Sequence, residues 1–393
     1  MNKRLLDKDV QQFILQHRQE SPAKIALGKS PFSDVSSGEL AMQIDGWQRS
    51  VNKLPTWGYS ENIYYPPKLN LEQCSSEHTA LIKQTLIRKG SKAIDLTGGF
   101  GVDSCYLAQH AETVIHCELN QDLSAIVAHN ANILGVHNLE CIAGDGIQIL
   151  QSLADDSLDY IYIDPSRRVQ HSKVFLLEDC EPNIIALQDL FFSKSEYVIT
   201  KVSPLLDITQ ALRSLDQVSH VYVISLDNDC KELLFFQKRG FVGEPIISAI
   251  RLFKDQLQEL SFTAEQERAT LPHYKEPAGY LYEPDVSVVK AGAFKSVAKA
   301  FNLAKLHPHS HLYTSEQLHE EFPGKAFGIT EVLPFGDLKR KRTFAKANIT
   351  TRNFPLKVED IRKKYKIQDG GNVYLFFTTD PQEKLIVVAC ERI

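Results

Sequence analysis

From about Leu81 to Leu260 the chain repeats one texture: an apolar run short enough for a strand, then a stretch with helical spacing, then another apolar run. The runs are KAIDL, TVIHCEL, LECIAG, LDYIYIDP, YVITKV and VYVISL, with LLFFQ close behind the last. Strands separated by helices cannot be joined by tight hairpins. They must lie mostly parallel, with helices on both faces and ligands bound where the strands end. The predicted fold class is α/β, with a mostly parallel sheet at its core.

A chain of 393 residues exceeds one ordinary core, so further modules are expected. Residues 1–65 read as a helical segment. Leu5 to His17 carries apolar residues at near-helical spacing, and Ser36 and Ser37 precede Glu39 as an N-cap signal. Pro55 and then Pro66-Pro67 mark its exit, and the α/β core is assigned to 66–262. After a polar, proline-bearing linker come helical signals in VAKAFNLAKL, a basic segment, and a strand pair, NVYLFFTT and KLIVVAC. This end of the chain reads as small α+β modules.

Charge and cysteine usage exclude several classes. No apolar run is long enough to span a bilayer, and the first residues lack the apolar core of a signal peptide. Seven scattered cysteines without a C-x-x-C pair speak against a disulfide framework or a zinc site and fit a reducing cytoplasm. His307, His309 and His311 lack neighbouring ligands and read as exposed loop residues, so no metal is expected. The formal net charge is −5, yet Gly336 to Lys366 holds eleven Lys/Arg against three acids. Such asymmetry marks a basic arm on an otherwise acidic chain.

The most specific local signal is Asp95-Leu96-Thr97-Gly98-Gly99-Phe100-Gly101, where a strand ends, a glycine-rich turn follows and a helix begins near Val102. Glycines let the backbone approach a ligand closely. The spacing does not match the G-x-G-x-x-G of dinucleotide enzymes, which disfavours an oxidoreductase. Acids recur at the next strand tips: Glu118, followed by Leu119-Asn120, then Asp145 after Gly144, then Asp164 before Pro165-Ser166-Arg167-Arg168. Two readings stand. The tips hold a ligand, or they are solvated strand ends around a tight connection. Four successive acids favour the first, because buried acids without donors are costly.

This order resembles class I S-adenosylmethionine-dependent methyltransferases of Rossmann-like fold. The resemblance implies that Asp95, Thr97, Gly98, Gly99 and Gly101 hold the methionine end of S-adenosyl-L-methionine. It gives Glu118 to the ribose and Asp145 to the adenine, with Asn120 among the cofactor-binding residues and Asp164 at the tip facing the methyl. Upstream, Gln73, Ser75 and Ser76 fall where many methyltransferases carry an element that closes over the methionine. The alternative for these three is a helix N-cap with solvated side chains.

Methyl transfer is an in-line displacement that chiefly needs a positioned nucleophile. Asp164, Pro165, Ser166 and Arg167 lie where that work is done, with Lys201 at the next strand end. Arg167 and Arg168 suit phosphate contact, or else pair with Asp164 or Glu178. The tetrad is similar to the Asp-Pro-Pro-Arg of RNA 5-methyluridine enzymes. Val202 stands where those need a thiol, so methylation of a ring carbon is disfavoured. Asp164, Lys201 and Glu232 are also similar to three of the Lys-Asp-Lys-Glu set of ribose 2′-O-methyltransferases, while Asp-Pro is commoner among base-nitrogen enzymes. Base nitrogen and ribose both stay open.

The basic arm interleaves Arg340, Lys341, Arg342, Arg352 and Lys363 with Phe344, Phe354 and Tyr365. Cations can meet phosphates while aromatic faces stack on unpaired bases, or the aromatics form a local core beneath a solvated surface. Several phrases together resemble a bacterial methyltransferase family with a C-terminal THUMP-like domain. They are Tyr64-Tyr65-Pro66-Pro67, Glu72-Gln73-Cys74-Ser75-Ser76, Asp164-Pro165-Ser166-Arg167-Arg168, Tyr282-Glu283-Pro284, Lys290-Ala291-Gly292 and Thr351-Arg352-Asn353-Phe354-Pro355. The resemblance implies a ferredoxin-like segment at 278–324, a THUMP-like domain at 325–393, and a tRNA or rRNA substrate by analogy. A methyltransferase acting on protein or a small molecule, and a non-catalytic RNA-binding protein, are the competing readings. The number of subunits is left open.

Overall fold

The computed structural model describes residues 1–167, 177–341 and 344–393. It divides into two compact units: residues 1–219 with 233–242, and residues 220–232 with 243–393.

In the first unit the α/β texture becomes a sheet. Its strands are β1 (Lys92–Asp95), β2 (Thr113–Glu118), β3 (Leu139–Ala143), β4 (Leu158–Ile163) and β5 (Ser195–Val202). They lie in the order β3-β2-β1-β4-β5, all parallel, so the order reverses on either side of β1. Such a reversal opens a crevice at the strand ends, where ligands bind in open α/β sheets. Two further strands, β6 (Val218–Leu226) and β7 (Asp229–Lys238), follow β5 in sequence, and β7 runs antiparallel to β5. The first strand is buried on both faces at Ala93 and Ile94, as near-continuous apolar runs require.

The N-terminal segment is helical, as its spacing predicts. Helix Ser37–Lys53 starts with a capping box in which Ser36 and Glu39 satisfy each other's backbone. Leu5, Val10, Leu40, Ile44 and Trp57 pack in one core with Phe100, Val102, Tyr106, Leu123 and Ile126. The Tyr64-Tyr65-Pro66-Pro67 phrase is fixed by two side-chain amides. Gln43 bonds the backbone N–H and C=O of Tyr65, and Asn130 does the same for Tyr64. Ahead of two prolines the chain is extended and cannot satisfy itself, so amides from two helices do so.

In the second unit β6 pairs parallel with β8 (Ile246–Phe253), which pairs antiparallel with β9 (Gln256–Thr263). A seven-stranded sheet follows. Its strands are β10 (Tyr280–Pro284), β11 (Tyr313–Ser315), β12 (Gly324–Pro334), β13 (Asn348–Thr351), β14 (Val373–Thr379) and β15 (Leu385–Arg392), with the short strand Ala304–Lys305 at one edge. From that edge the order is β11-β10-β12-β15-β14-β13. The strand pair read from the sequence is β14 and β15, antiparallel as expected. The helix expected in VAKAFNLAKL is shorter, Ser296–Ala300, because Asn302 adopts a positive φ of 49° and the chain turns into Ala304–Lys305.

Two expectations need correction here. His307 is not exposed: it is buried, its Nε2 lies 2.9 Å from Glu383 Oε1, and its Nδ1 meets the Asn353 amide at 2.9 Å. Phe354 and Tyr365 do not form a stacking surface. With Phe344 they pack against the core built on Leu338, Ile361 and Phe377, and Phe335 meets both Phe354 and Tyr365 edge-on. The local-core alternative holds for these aromatics.

The distant phrases of the second unit meet. Arg352 Nη2 lies 2.9 Å from Glu283 Oε1, joining Tyr282-Glu283-Pro284 to Thr351-Arg352-Asn353. Tyr282 is fully buried, its hydroxyl donating to Gln317 O at 2.7 Å and accepting from His319 N at 3.0 Å. Asp285 caps the helix Val286–Ala291 and accepts Ser225 Oγ at 2.5 Å. These residues are packing and capping elements.

Candidate active site

The glycine-rich turn begins where β1 ends. Gly98 N–H donates to Cys117 O, tying the turn to β2, and Gly101 N–H donates back to Gly98 O, both at 2.8 Å. Gly101, at φ 74°, opens helix Val102–Ala108, and a Cβ there would meet Val127 Cγ1 at 2.5 Å. Only glycine fits. Asp95 is buried beneath the turn. Its carboxylate accepts Ser104 Oγ at 2.5 Å and the Thr97 N–H at 3.1 Å, and burial pushes its pKa up to about 7. The Thr97 hydroxyl accepts the Asp164 N–H at 2.7 Å, which links the tips of β1 and β4.

Glu118, at the tip of β2, is half-buried. Its Oε2 accepts the Gly99 N–H at 3.0 Å and its Oε1 the Asn120 N–H at 2.7 Å. Each carboxylate oxygen keeps a further lone pair. Leu119 beside it is 77% exposed, an apolar side chain at a strand tip with nothing packed over it. The Asn120 side chain caps helix Gln121–Ile133, and Asp145 caps helix Gly146–Ser152. Gly146 is pressed against Leu96, where a Cβ would stand 2.3 Å from the carbonyl oxygen. The tips of β1, β2, β3 and β4 thus converge around one turn.

At the β4 and β5 tips lies a charged cluster. Lys201 Nζ is 2.5 Å from Asp164 Oδ2 and 3.8 Å from Asp103 Oδ2. Lys83, fully buried, places its Nζ 2.9 Å from Asp103 Oδ1. Asp103 Oδ2 also accepts Tyr162 OH at 2.7 Å and Ser75 Oγ at 2.8 Å. Ser75 Oγ in turn accepts Lys83 Nζ at 2.9 Å and Lys201 Nζ at 3.3 Å. Burial alone would raise the Asp103 carboxyl. The two ammonium groups and the tyrosine hydroxyl outweigh it and hold its pKa at about 2.

The sequence pointed to Ser75, Asp164 and Lys201 but missed Asp103, Lys83 and Tyr162. Lys83 sits on the buried face of helix Glu77–Thr85, and Asp103 two residues past the last glycine; a lysine among Ala80 and Ile82 was the only sign. Other expected residues are placed differently. Gln73 is exposed at the end of helix Lys68–Gln73, and Ser76 is the N-cap of helix Glu77–Thr85, its hydroxyl accepting from Thr79 N. Pro165 is buried, and Ser166 and Arg167 form a short strand. Among the described residues Asp164 pairs with Lys201. Glu232 is buried on β7. Arg168 and Arg342 lie outside the described residues.

On the basic arm, Arg352 is engaged by Glu283 and Arg340 stands 3.7 Å from Asp337 while remaining 86% exposed. Lys363 is exposed on helix Val358–Tyr365, and the backbone of Lys341 ends the short helix Leu338–Lys341. A separate cleft of about 770 Å³, bordered by Arg18, Trp47 and Tyr59 among the N-terminal helices, contains none of the strand-tip residues. Among the described residues no helix is long and apolar enough to cross a membrane.

The strand order, the glycine turn and the acid-bearing tips define a Rossmann-like methyltransferase fold. Over its full length the chain is similar to a protein of Porphyromonas gingivalis W83 whose crystal structure is provisionally designated a methyltransferase. The identity is 33%, with 100% of this chain and 99% of that one covered and a TM-score of 0.90. Residues 280–323 match a ferredoxin-like domain family and residues 324–392 a THUMP domain-like family. The chain belongs to this methyltransferase family with a C-terminal THUMP-like domain. Partial matches include an rRNA methylase from Streptococcus thermophilus, at 13% identity over 41% of this chain and 95% of that one, TM-score 0.32. Another is TrmK of M. capricolum in complex with S-adenosyl-homocysteine, at 15% identity over 42% and 68%, TM-score 0.33. No curated protein sequence matches the chain.

Proposed function

We propose that the chain is an S-adenosylmethionine-dependent methyltransferase acting on a structured RNA, tRNA or rRNA, at a base nitrogen or a ribose. One observation carries the catalytic part: the Lys201–Asp164 pair stands at the β4 and β5 tips, and the Asp164 backbone is bonded to Thr97 in the glycine turn.

The residues suit the cofactor. Gly98, Gly99 and Gly101 would let the backbone come close to the methionine end, and Ser75 is bonded to Asp103, two residues past the last of them. Asp95 acts beneath the turn by fixing its shape. Glu118 keeps lone pairs that would meet ribose hydroxyls, Asp145 would meet the adenine edge, and exposed Leu119 offers the apolar surface a purine ring would cover. When bound, S-adenosylmethionine supplies an electrophilic methyl carbon on a sulfonium. The chain's own part is positioning: Asp164 accepts a hydrogen bond from the incoming N–H or O–H, and Lys201 fixes the carboxylate's orientation.

The RNA part rests on the THUMP domain-like match and on the exposed cations Arg340 and Lys363, with Lys357, Lys364 and Lys366 nearby in sequence. Phosphate contact is the mode these groups suit, since the aromatics of the arm are packed inward. The test is mass spectrometry of nucleosides in tRNA and rRNA from a strain lacking the gene. One methylated nucleoside should vanish, and return with the wild-type gene but not with Asp164→Ala. An unchanged nucleoside profile would overturn the RNA assignment. Calorimetry that finds binding of NAD but not of S-adenosylmethionine would overturn the cofactor.

A further inference from the structure

Lys83, fully buried, and Asp103, nearly so, form an ion pair between helices Glu77–Thr85 and Val102–Ala108. Isolated buried charges are costly, and a buried pair is seldom worth more to stability than apolar residues of the same volume. Such a pair is a candidate for a second role. Its geometry shows one. Asp103 Oδ1 faces Lys83 at 2.9 Å, while Oδ2 takes Ser75 at 2.8 Å, Tyr162 at 2.7 Å and Lys201 at 3.8 Å. The lysine that reaches Asp164 is therefore held from behind by a carboxylate that is itself anchored on three sides.

We propose that Asp103 is a positioning residue: anchored by Lys83 and Tyr162, it holds the Lys201 ammonium against Asp164, and so aims Asp164 at the methyl acceptor. The proposal rests on the methyltransferase reading. Without Asp103, Lys201 would lose one of the two carboxylates that stand beside its ammonium. The charges balance as drawn, two ammonium groups against two carboxylates. Asp95 and Cys74 also feel Asp103. The site thus presents a lysine set between two carboxylates, a placement that suits orientation of Asp164.

The test uses the full chain with Asp103→Asn, Asp103→Glu and Tyr162→Phe. Tyr162→Phe loses one anchor and no charge, so it should fold where Asp103→Asn fails. Lys201 is followed by its rate of acetylation with an N-hydroxysuccinimide ester, read by peptide mass spectrometry. Loss of one neighbouring carboxylate should raise that rate about tenfold in Asp103→Asn, one unit of lysine pKa being a tenfold change in free amine. Tyr162→Phe should raise it a few-fold, and Asp103→Glu should return it toward wild type. S-adenosylmethionine affinity should stay within about threefold throughout, while methyl transfer to RNA from the deletion strain falls about a hundredfold in Asp103→Asn, a loss of kcat without KM. Unchanged Lys201 acetylation in Tyr162→Phe and in any folded Asp103→Asn would overturn the positioning role. A wild-type protein that binds the cofactor yet transfers nothing to RNA would sink the RNA reading instead, and the acetylation rates would still decide the positioning.

Discussion

Gly98 lies against the imidazole of His116: a Cβ on residue 98 would stand 2.2 Å from the ring carbon Cδ2 and from Nε2. His116 is fully buried on β2, its Nε2 within 3.3 Å of Gly99 O, and burial lowers its pKa. Gly98→Ala should therefore push the turn off β2 and weaken S-adenosylmethionine binding at least tenfold in calorimetry, about 1.4 kcal/mol. Adding His116→Ala should recover part of that loss. If the double variant binds no better than Gly98→Ala, the clash is not the cause.

Lys83→Met leaves Asp103 buried without its nearest countercharge. Breaking a buried pair from one side costs about 3–5 kcal/mol, so the urea midpoint should fall steeply or the protein fail to fold. Replacing both, Lys83→Met with Asp103→Leu, should cost far less. A single variant as stable as wild type would contradict the ion pair.

Asp95 and Asp103 make opposite demands as pH changes. Asp95 has a folded pKa near 7 against an ordinary value of 3.8, so the folded state binds the extra proton between those values. Stability from this group falls as pH rises from about 4 to 7. Asp103, at about 2, contributes stability above pH 4 that is lost as pH falls through 2. Asp95→Asn should therefore flatten the melting temperature between pH 4 and 7 and leave the acid limb in place. A wild-type melting curve that is flat across pH 4 to 7, and unchanged by Asp95→Asn, would refute the Asp95 assignment.

Arg352 and Lys363 should part ways. Arg352→Ala breaks the ion pair with Glu283 and should cost about 1 kcal/mol in denaturant unfolding. Lys363→Glu touches nothing packed and should leave stability within about 0.5 kcal/mol. It should instead weaken RNA binding and flatten its salt dependence, measured by filter binding across salt concentrations. Equal RNA loss and equal stability in both variants would show that exposure does not separate them.

The sheet and its glycine turn were legible because they rest on periodicity and backbone need. Ile94 and the alternating runs declare buried strands, and Gly101 declares a positive φ. Ser36 and Glu39 announced their helix for the same local reason. Of the charged cluster, Asp164 and Lys201 were legible, but Lys83, Asp103 and Tyr162 were not, because three separate elements bring them together and each has an ordinary local context. His307 was misjudged for a related reason: its partners, Asn353 and Glu383, are 46 and 76 residues away. Phe354 and Tyr365 looked like a stacking surface only because their neighbours in sequence are charged, while their neighbours in space are Phe335 and Phe377.

The ferredoxin-like match stops at residue 323 and the THUMP-like match starts at 324, yet β12, which begins at Gly324, bonds β10 along one side and β15 along the other. The border between the two names runs down the middle of a continuous hydrogen-bonded ladder. A scissor placed there would strip β10 of one of its two neighbours and leave a raw edge prone to sticking to other chains. What the two segments each do must be separated by changing single side chains, since neither is a detachable part.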